Sequence, residues 1–353
     1  MLKLLFVSTS VGPLGTGLGG GVELSLYNIA QEMRRRGYIV QIVAPKGSYF
    51  ESLPDIVQIP GELQTIAQSQ ERNDPIVMPS DSVLANMWEY ARQVQTEYDL
   101  IVNFAYDWLP FYLTPFFSRP IAHFVSMGSL YEAMDCMIKQ TADRFPGTIG
   151  FYTASQAKTF ALEYDCPYLG SGIDLSVYEF CAQPQKRLAW LGRIAPEKGL
   201  EDAVAAAKKM QIPLKIMGKM PDETYWQQIC AAYPNAPIEY LGFLSTSAMQ
   251  QQVRQCQALL MTPRWVEAFG NVAIEALACG VPVISYRRGG PAEIVQDGKT
   301  GFLVEPDSVA ELVNAIARLQ EIDRRACRQQ AETEFSLTAL GDRFEKWFRD
   351  ILN

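Results

Sequence analysis

The chain has 353 residues, 48% of them hydrophobic and 20% charged, the balance of an ordinary globular protein with room for two domains. The 31 basic and 39 acidic residues leave a net charge of −8, which argues against a non-specific nucleic-acid binder and gives no general attraction to anionic lipid. No apolar run is long enough to span a bilayer and Met1–Val7 lacks a leader pattern, so the expectation is a cytoplasmic protein without stable membrane insertion.

Leu4–Ser8 reads as a continuous apolar strand, followed by a glycine-rich loop over Gly12–Gly21. Val22–Arg36 then has helical periodicity through Val22, Leu26, Ile29, Ala30 and Met33, stops at Gly37, and gives way to the strand Ile39–Ala44. This is β–loop–α–β, the opening of a doubly wound parallel sheet. Inside the loop, Gly15–Gly20 matches GxGxxG literally and raises a dinucleotide-binding reading. Two features oppose it: the glycines begin several residues after the strand, and the second strand ends in Ala44-Pro45-Lys46 where an acid is wanted. A loop that wraps a ligand with its backbone amides fits better.

Residues 46–80 show no clear period and read as loop with short elements. Ser82–Glu97 is helical, Asp99–Phe104 a strand with Tyr106-Asp107-Trp108-Leu109-Pro110 at its C-terminal end, and Pro120–Val125 a strand carrying His123, the only histidine. Two readings of His123 stand: a neutral imidazole satisfied in the core, or a group at the strand-end rim where open parallel sheets collect ligands. Thr148–Thr153 is a strand, Ser155–Tyr164 a helix capped by Ser155, and Cys166–Leu169 a short strand. The connector from Gly170 to about Pro184 marks a boundary, giving domains 1–170 and 171–336. The seven cysteines are scattered without CxxC spacing, so neither a zinc site nor a disulfide frame is indicated.

The pattern restarts with the strand Leu188–Leu191 and the loop Gly192–Gly199. A helix at Leu200–Met210, a strand at Leu214–Met217, a helix near Tyr225–Tyr233, a strand at Ile238–Leu241, a helix at Thr246–Arg254 and a buried strand at Ala258–Met261 follow. Next comes Arg264–Ala278, which places Glu267 on a strand-to-helix loop, Gly270-Asn271 at a helix N-terminus, and Glu275 one to two turns in. Unpaired amides at such a terminus suit phosphate, and carboxylates on either side suit hydroxyls. Arg193 and Lys198 bracket a proline turn, so both cations can point at one spot and neutralise a pyrophosphate. The bland alternatives are solvated basic side chains and ordinary helix acids. The strand Pro282–Ser285, the turn Arg287–Glu293, the strand Phe302–Val304 and helices at Val309–Leu319 and about Leu337–Leu352 complete the chain.

Together, Gly20-Gly21-Val22-Glu23, Asp107-Trp108, His123, Gly192-Arg193 with Glu197-Lys198-Gly199, Glu267-Ala268-Phe269-Gly270 with Glu275, and Gly289–Glu293 resemble the retaining glycosyltransferases of glycosyltransferase family 4. The resemblance implies the GT-B fold: two Rossmann-like domains facing across a cleft, with the helix at about 337–353 packing back on the first. It implies a hexose transfer, with UDP-glucose as donor, to a small-molecule acceptor, with retention and without metal or cofactor. Arg193 and Lys198 would bind the donor diphosphate and Glu275 the ribose. Glu267 would contact the sugar, with the amides of Phe269, Gly270 and Asn271 nearby, and Gly20 and Gly21 would approach the pyrophosphate. His123 would meet a sugar hydroxyl and Asp107 would lie near the acceptor, although Tyr106 replaces the family's histidine before it. The Asn103–Phe117 stretch and the Gly12–Glu23 loop are further similar to bacterial α-glucosyltransferases that act on a pterin, tetrahydrobiopterin. A GT-B-like phosphorylase, a nucleotide-sugar epimerase and a nucleotide-sugar-binding regulator remain alternatives, and a homo-oligomer stays open.

Overall fold

The computed structural model describes residues 2–16, 20–53, 55–69, 71–162 and 165–353. Gly17–Gly19 of the glycine-rich loop and residues 163–164 lie outside them. The chain divides into two compact units, Met1–Ser171 with Leu337–Asn353, and Gly172–Ser336.

In the first unit the strands are β1 (Lys3–Val7), β2 (Ile39–Pro45), β3 (Ile56–Ile59), β4 (Leu100–Asn103), β5 (Ile121–Val125) and β6 (Ile149–Phe151). They pair in parallel in the order β3-β2-β1-β4-β5-β6. Leu4, Leu5, Phe6 and Val7 are all fully buried, as a central parallel strand covered by helices on both faces requires. In the second unit, β7 (Leu188–Leu191), β8 (Leu214–Met217), β9 (Ile238–Tyr240), β10 (Ala258–Met261), β11 (Val283–Tyr286) and β12 (Gly301–Val304) pair in parallel in the order β12-β11-β10-β7-β8-β9. The winding reverses between β1 and β4 in one sheet and between β7 and β10 in the other. Crevices at the carboxyl ends of such strand pairs are where doubly wound sheets hold ligands.

Several elements differ from the sequence reading. β3 lies inside the segment read as loop; it is a short, half-exposed edge strand and so lacks a long apolar run. The helices Trp108–Leu113, Glu132–Arg144 and Arg324–Glu334 were not expected. Glu132–Arg144 buries only Met134, Ile138, Thr141 and Ala142, and Arg324–Glu334 only Cys327, Gln330 and Ala331, so each carries a thin apolar stripe in a polar segment. Thr153, not Ser155, caps the helix Ala154–Lys158, its side chain accepting from the Gln156 amide at 3.1 Å. The strand expected at Cys166–Leu169 reduces to a bridge between Tyr168 and Phe151.

The helix Leu337–Leu352 packs within the first unit although the whole second unit precedes it in sequence. Its Phe344 and Phe348 meet Phe124 and Phe6 at ring-centroid distances of 5.2 and 6.4 Å. Arg36 latches it from outside, donating to Glu345 at 2.7 Å, to Asp342 at 2.8 Å and to the Thr338 carbonyl at 2.8 Å, while also holding the buried Glu32 at 2.8 Å. Among the described residues no helix is long and apolar enough to cross a membrane.

Candidate functional site

In the second unit, the loops that leave β7 and β10 flank the winding reversal and are tied together. The Arg264 amide donates to the Glu197 carbonyl at 2.9 Å, and Thr262 Oγ1 donates to the Gly199 carbonyl at 2.7 Å. Gly199 has φ 61°, and a Cβ there would lie 2.1 Å from the Thr262 carbonyl oxygen, so only glycine lets the loops approach this closely. A third loop closes from β11. The Gly290 amide donates to the Glu267 carbonyl at 2.7 Å, and a Cβ on Gly289 (φ 66°) would fall 2.6 Å from both the Glu267 amide nitrogen and its carbonyl oxygen.

This bracing presents Glu267 to Lys198. Lys198 Nζ donates to Glu267 Oε2 at 2.5 Å, and Trp265 Nε1–H donates to the same oxygen at 2.9 Å. The ammonium also lies 4.8 Å from the centre of the Trp265 ring. Trp265 was not singled out from the sequence, although a tryptophan two positions before Glu267 on the same loop was the available signal. Arg193, on the same loop as Lys198, pairs instead with Glu197. The two cations therefore have different internal partners. Further support comes from Arg264, which pairs with Asp202 at 3.2 Å and Glu201 at 2.9 Å, and from Arg288, which donates to the Pro263 carbonyl at 2.8 Å.

Gly270 (φ 100°) precedes the helix Asn271–Ala278 and leaves little room for a side chain, with Met261 and Pro291 atoms 3.0 Å from a Cβ placed there. Asn271 opens the helix, and its Oδ1 is buried without a hydrogen-bond partner. Phe269 is buried against Phe335. Glu275 does not share the Lys198 cluster's hydrogen bonds. Its Oε1 accepts from Tyr178 Oη at 3.0 Å, a partner 97 positions away that no sequence pattern marks. Burial pushes the Glu275 carboxyl up to about 7, and the Tyr178 hydrogen bond opposes that shift. Arg328 holds both sides of this contact by donating to the Tyr178 carbonyl at 2.8 Å and the Ala278 carbonyl at 2.7 Å.

In the first unit, Asp107 caps the helix Trp108–Leu113 at the end of the loop from β4, its Oδ1 accepting from the Leu109 amide at 3.4 Å and its Oδ2 from Gln64 Nε2 at 3.3 Å. Burial raises its carboxyl to about 6 against these hydrogen bonds. Tyr106 spends its hydroxyl on the Gly128 carbonyl at 3.2 Å. Gly20 and Gly21 begin the helix Gly21–Arg35, with Gly20 at φ 61°.

His123 departs from the strand-end reading. It sits in the middle of β5, fully buried, and stacks on Phe111 at 4.2 Å. Asn103 Nδ2 lies 3.2 Å from Nδ1 and Thr114 Oγ1 lies 2.9 Å from Nε2, so both ring nitrogens are engaged inside the unit. Burial lowers its pKa to about 3 and keeps it neutral. The ring offers no open edge to a sugar hydroxyl. It braces the Asp107 loop through Asn103, whose Nδ2 also donates to the Ala105 carbonyl at 3.0 Å, and through Thr114, whose Oγ1 donates to the Pro110 carbonyl at 3.1 Å.

Residues 181–334 match the family described as glycosyl transferases group 1. The 2-deoxystreptamine N-acetyl-D-glucosaminyltransferase of Niallia circulans is 34% identical over 136 residues, which are 37% of this chain and 35% of that protein. The chain thus spans about a third of this relative's length. The D-inositol 3-phosphate glycosyltransferase of Corynebacterium aurimucosum is 23% identical across 100% of this chain and 97% of its own. Among solved structures, Anabaena HepE in complex with UDP and glucose superposes with a TM-score of 0.76 at 20% identity, covering 99% of this chain and 100% of that one. The sucrose-phosphate synthase of Thermosynechococcus elongatus gives 0.79 at 17% identity, covering 99% of each chain. Residues 181–334 thus match the glycosyl transferases group 1 family, within a chain that has the GT-B fold.

Proposed function

We propose that this chain is a glycosyltransferase that moves glucose from UDP-glucose to a small-molecule acceptor with retention, giving an α-glycoside. The observation that carries this reading is the Lys198–Glu267 pair, braced by three loops at the winding reversal of the second sheet. Breaking the anomeric C–O bond places negative charge on the departing diphosphate. Lys198, once it leaves Glu267, and Arg193 are the cations of this loop pair that meet that charge, and the helix N-terminus at Asn271 adds backbone amides. Carried on braced loops, these groups stabilise the anion and serve in place of a metal. Glu267 takes the sugar hydroxyls and Glu275 the ribose.

The acceptor side belongs to the first unit and includes Asp107, with Trp108 and Tyr112 stacked at 4.5 Å beside it. That aromatic surface suits a flat ring system, and a pterin such as tetrahydrobiopterin is the acceptor class we favour. Incubating the protein with UDP-glucose and a panel of pterins, with chelator present, tests the reading through UDP release and the anomeric configuration of the product. Tight UDP binding with no UDP release for any acceptor would replace the transferase by a nucleotide-sugar binder.

A further inference from the structure

We propose that Trp265 makes the Lys198–Glu267 pair openable: its indole N–H holds the Glu267 carboxylate in place when Lys198 leaves it for a phosphate. The inference rests on the donor-site reading above and adds a positioning residue to it.

One oxygen, Glu267 Oε2, receives both donors, at 2.5 Å from Lys198 and 2.9 Å from Trp265. The same indole turns its edge to the acid and its face to the ammonium. The acid and cation side chains are only 18% and 21% exposed, so a carboxylate abandoned by its cation here would be poorly solvated. The Glu267 backbone is held by the Gly290 amide on its carbonyl and packs closely against Gly289, so the acid stays with its loop. Lys198, on a flexible four-carbon stem, is the member that moves. When it does, the neutral indole donor stays with the acid and keeps it aimed. Without that donor, drawing Lys198 towards a diphosphate strands a buried charge, and the cost appears as weaker diphosphate binding.

A double-mutant cycle tests this with UDP titrated into the wild type, Trp265→Phe, Glu267→Gln and the double variant, each checked for folding by thermal unfolding. Phenylalanine keeps the ring face and removes only the N–H; Trp265→Leu serves the same cycle if the phenylalanine variant does not fold. Trp265→Phe is expected to weaken UDP binding about tenfold in the wild-type background, the scale of a hydrogen bond to a charged group. In the Glu267→Gln background the same change is expected to alter affinity less than about twofold, since no charge is left stranded. Unchanged binding in Trp265→Phe, or equal weakening in both backgrounds, overturns the inference. A wild type that binds no UDP overturns the donor-site reading itself, and this inference with it.

Discussion

Glu275→Gln is expected to stabilise the unliganded second unit, and to do so only above mildly acidic pH. The Glu275 carboxyl is raised to about 7 from an ordinary 4.5, so between those values the native state keeps a proton that the unfolded state has lost. The unfolded state binds fewer protons there, so stability falls as pH rises through the window. At about 1.36 kcal/mol per unit the full shift corresponds to about 3 kcal/mol, and water reaching a half-buried group lowers it to roughly 1–3 kcal/mol. Glutamine keeps an oxygen to accept from Tyr178 and carries no charge to desolvate. For a unit of this size the apparent melting temperature of Glu275→Gln should match the wild type near pH 4.5–5 and exceed it by roughly 3–9 °C at pH 8. Differential scanning calorimetry of both proteins across that range reads the difference directly, and titrations elsewhere in the chain cancel. A difference that stays constant from pH 4.5 to 8, or that has the opposite sign, refutes the desolvation argument.

Lys198→Ala should weaken UDP binding at least tenfold in calorimetry while leaving the fold intact, because it removes a cation from the diphosphate side and leaves Glu267 to Trp265 alone. Gly289→Ala places a Cβ 2.6 Å from Glu267 backbone atoms at a φ of 66°, and should cut UDP release from UDP-glucose more than tenfold while costing about 1–3 kcal/mol of stability in a denaturant titration. His123→Phe should cost about 2–4 kcal/mol by the same measurement, since Asn103 and Thr114 each lose a buried partner, yet leave UDP affinity within about twofold. Arg36→Ala should cost about 2–4 kcal/mol and speed hydrogen exchange in Leu337–Leu352, because it leaves the Glu32 side chain with Arg35 alone and releases Asp342 and Glu345.

The central strands and their βαβ order were legible because each is a short apolar run that one residue of slippage would not disguise, as in Leu4–Val7 and Ala258–Met261. The glycines at 199, 270 and 289 were legible as motif positions, and the structure gives each a reason in a close backbone approach or a left-handed φ. The partners were not. Tyr178 meets Glu275 across 97 positions, and Trp265 acts through an indole edge that no periodicity reports. Of the two readings of His123, the buried core imidazole suggested by its apolar neighbours holds and the strand-end sugar contact does not, because Phe111, Asn103 and Thr114 from other elements enclose the ring. Asp107 was placed correctly on the loop from β4, but not its burial, which raises its carboxyl, nor its hydrogen bond from Gln64, a residue from a segment without a pattern, which opposes that rise.

The return of Leu337–Leu352 to the first unit sets an order on the ribosome. Every residue of Gly172–Ser336 has been synthesised before Phe348 and Phe344 exist to cover Phe6 and Phe124. The first half to be made is therefore the last that can be finished. Until translation reaches those aromatics, its nascent sheet carries an uncovered apolar face, which makes it the part of the newborn chain most exposed to aggregation and to chaperone capture, while the later half can close on its own.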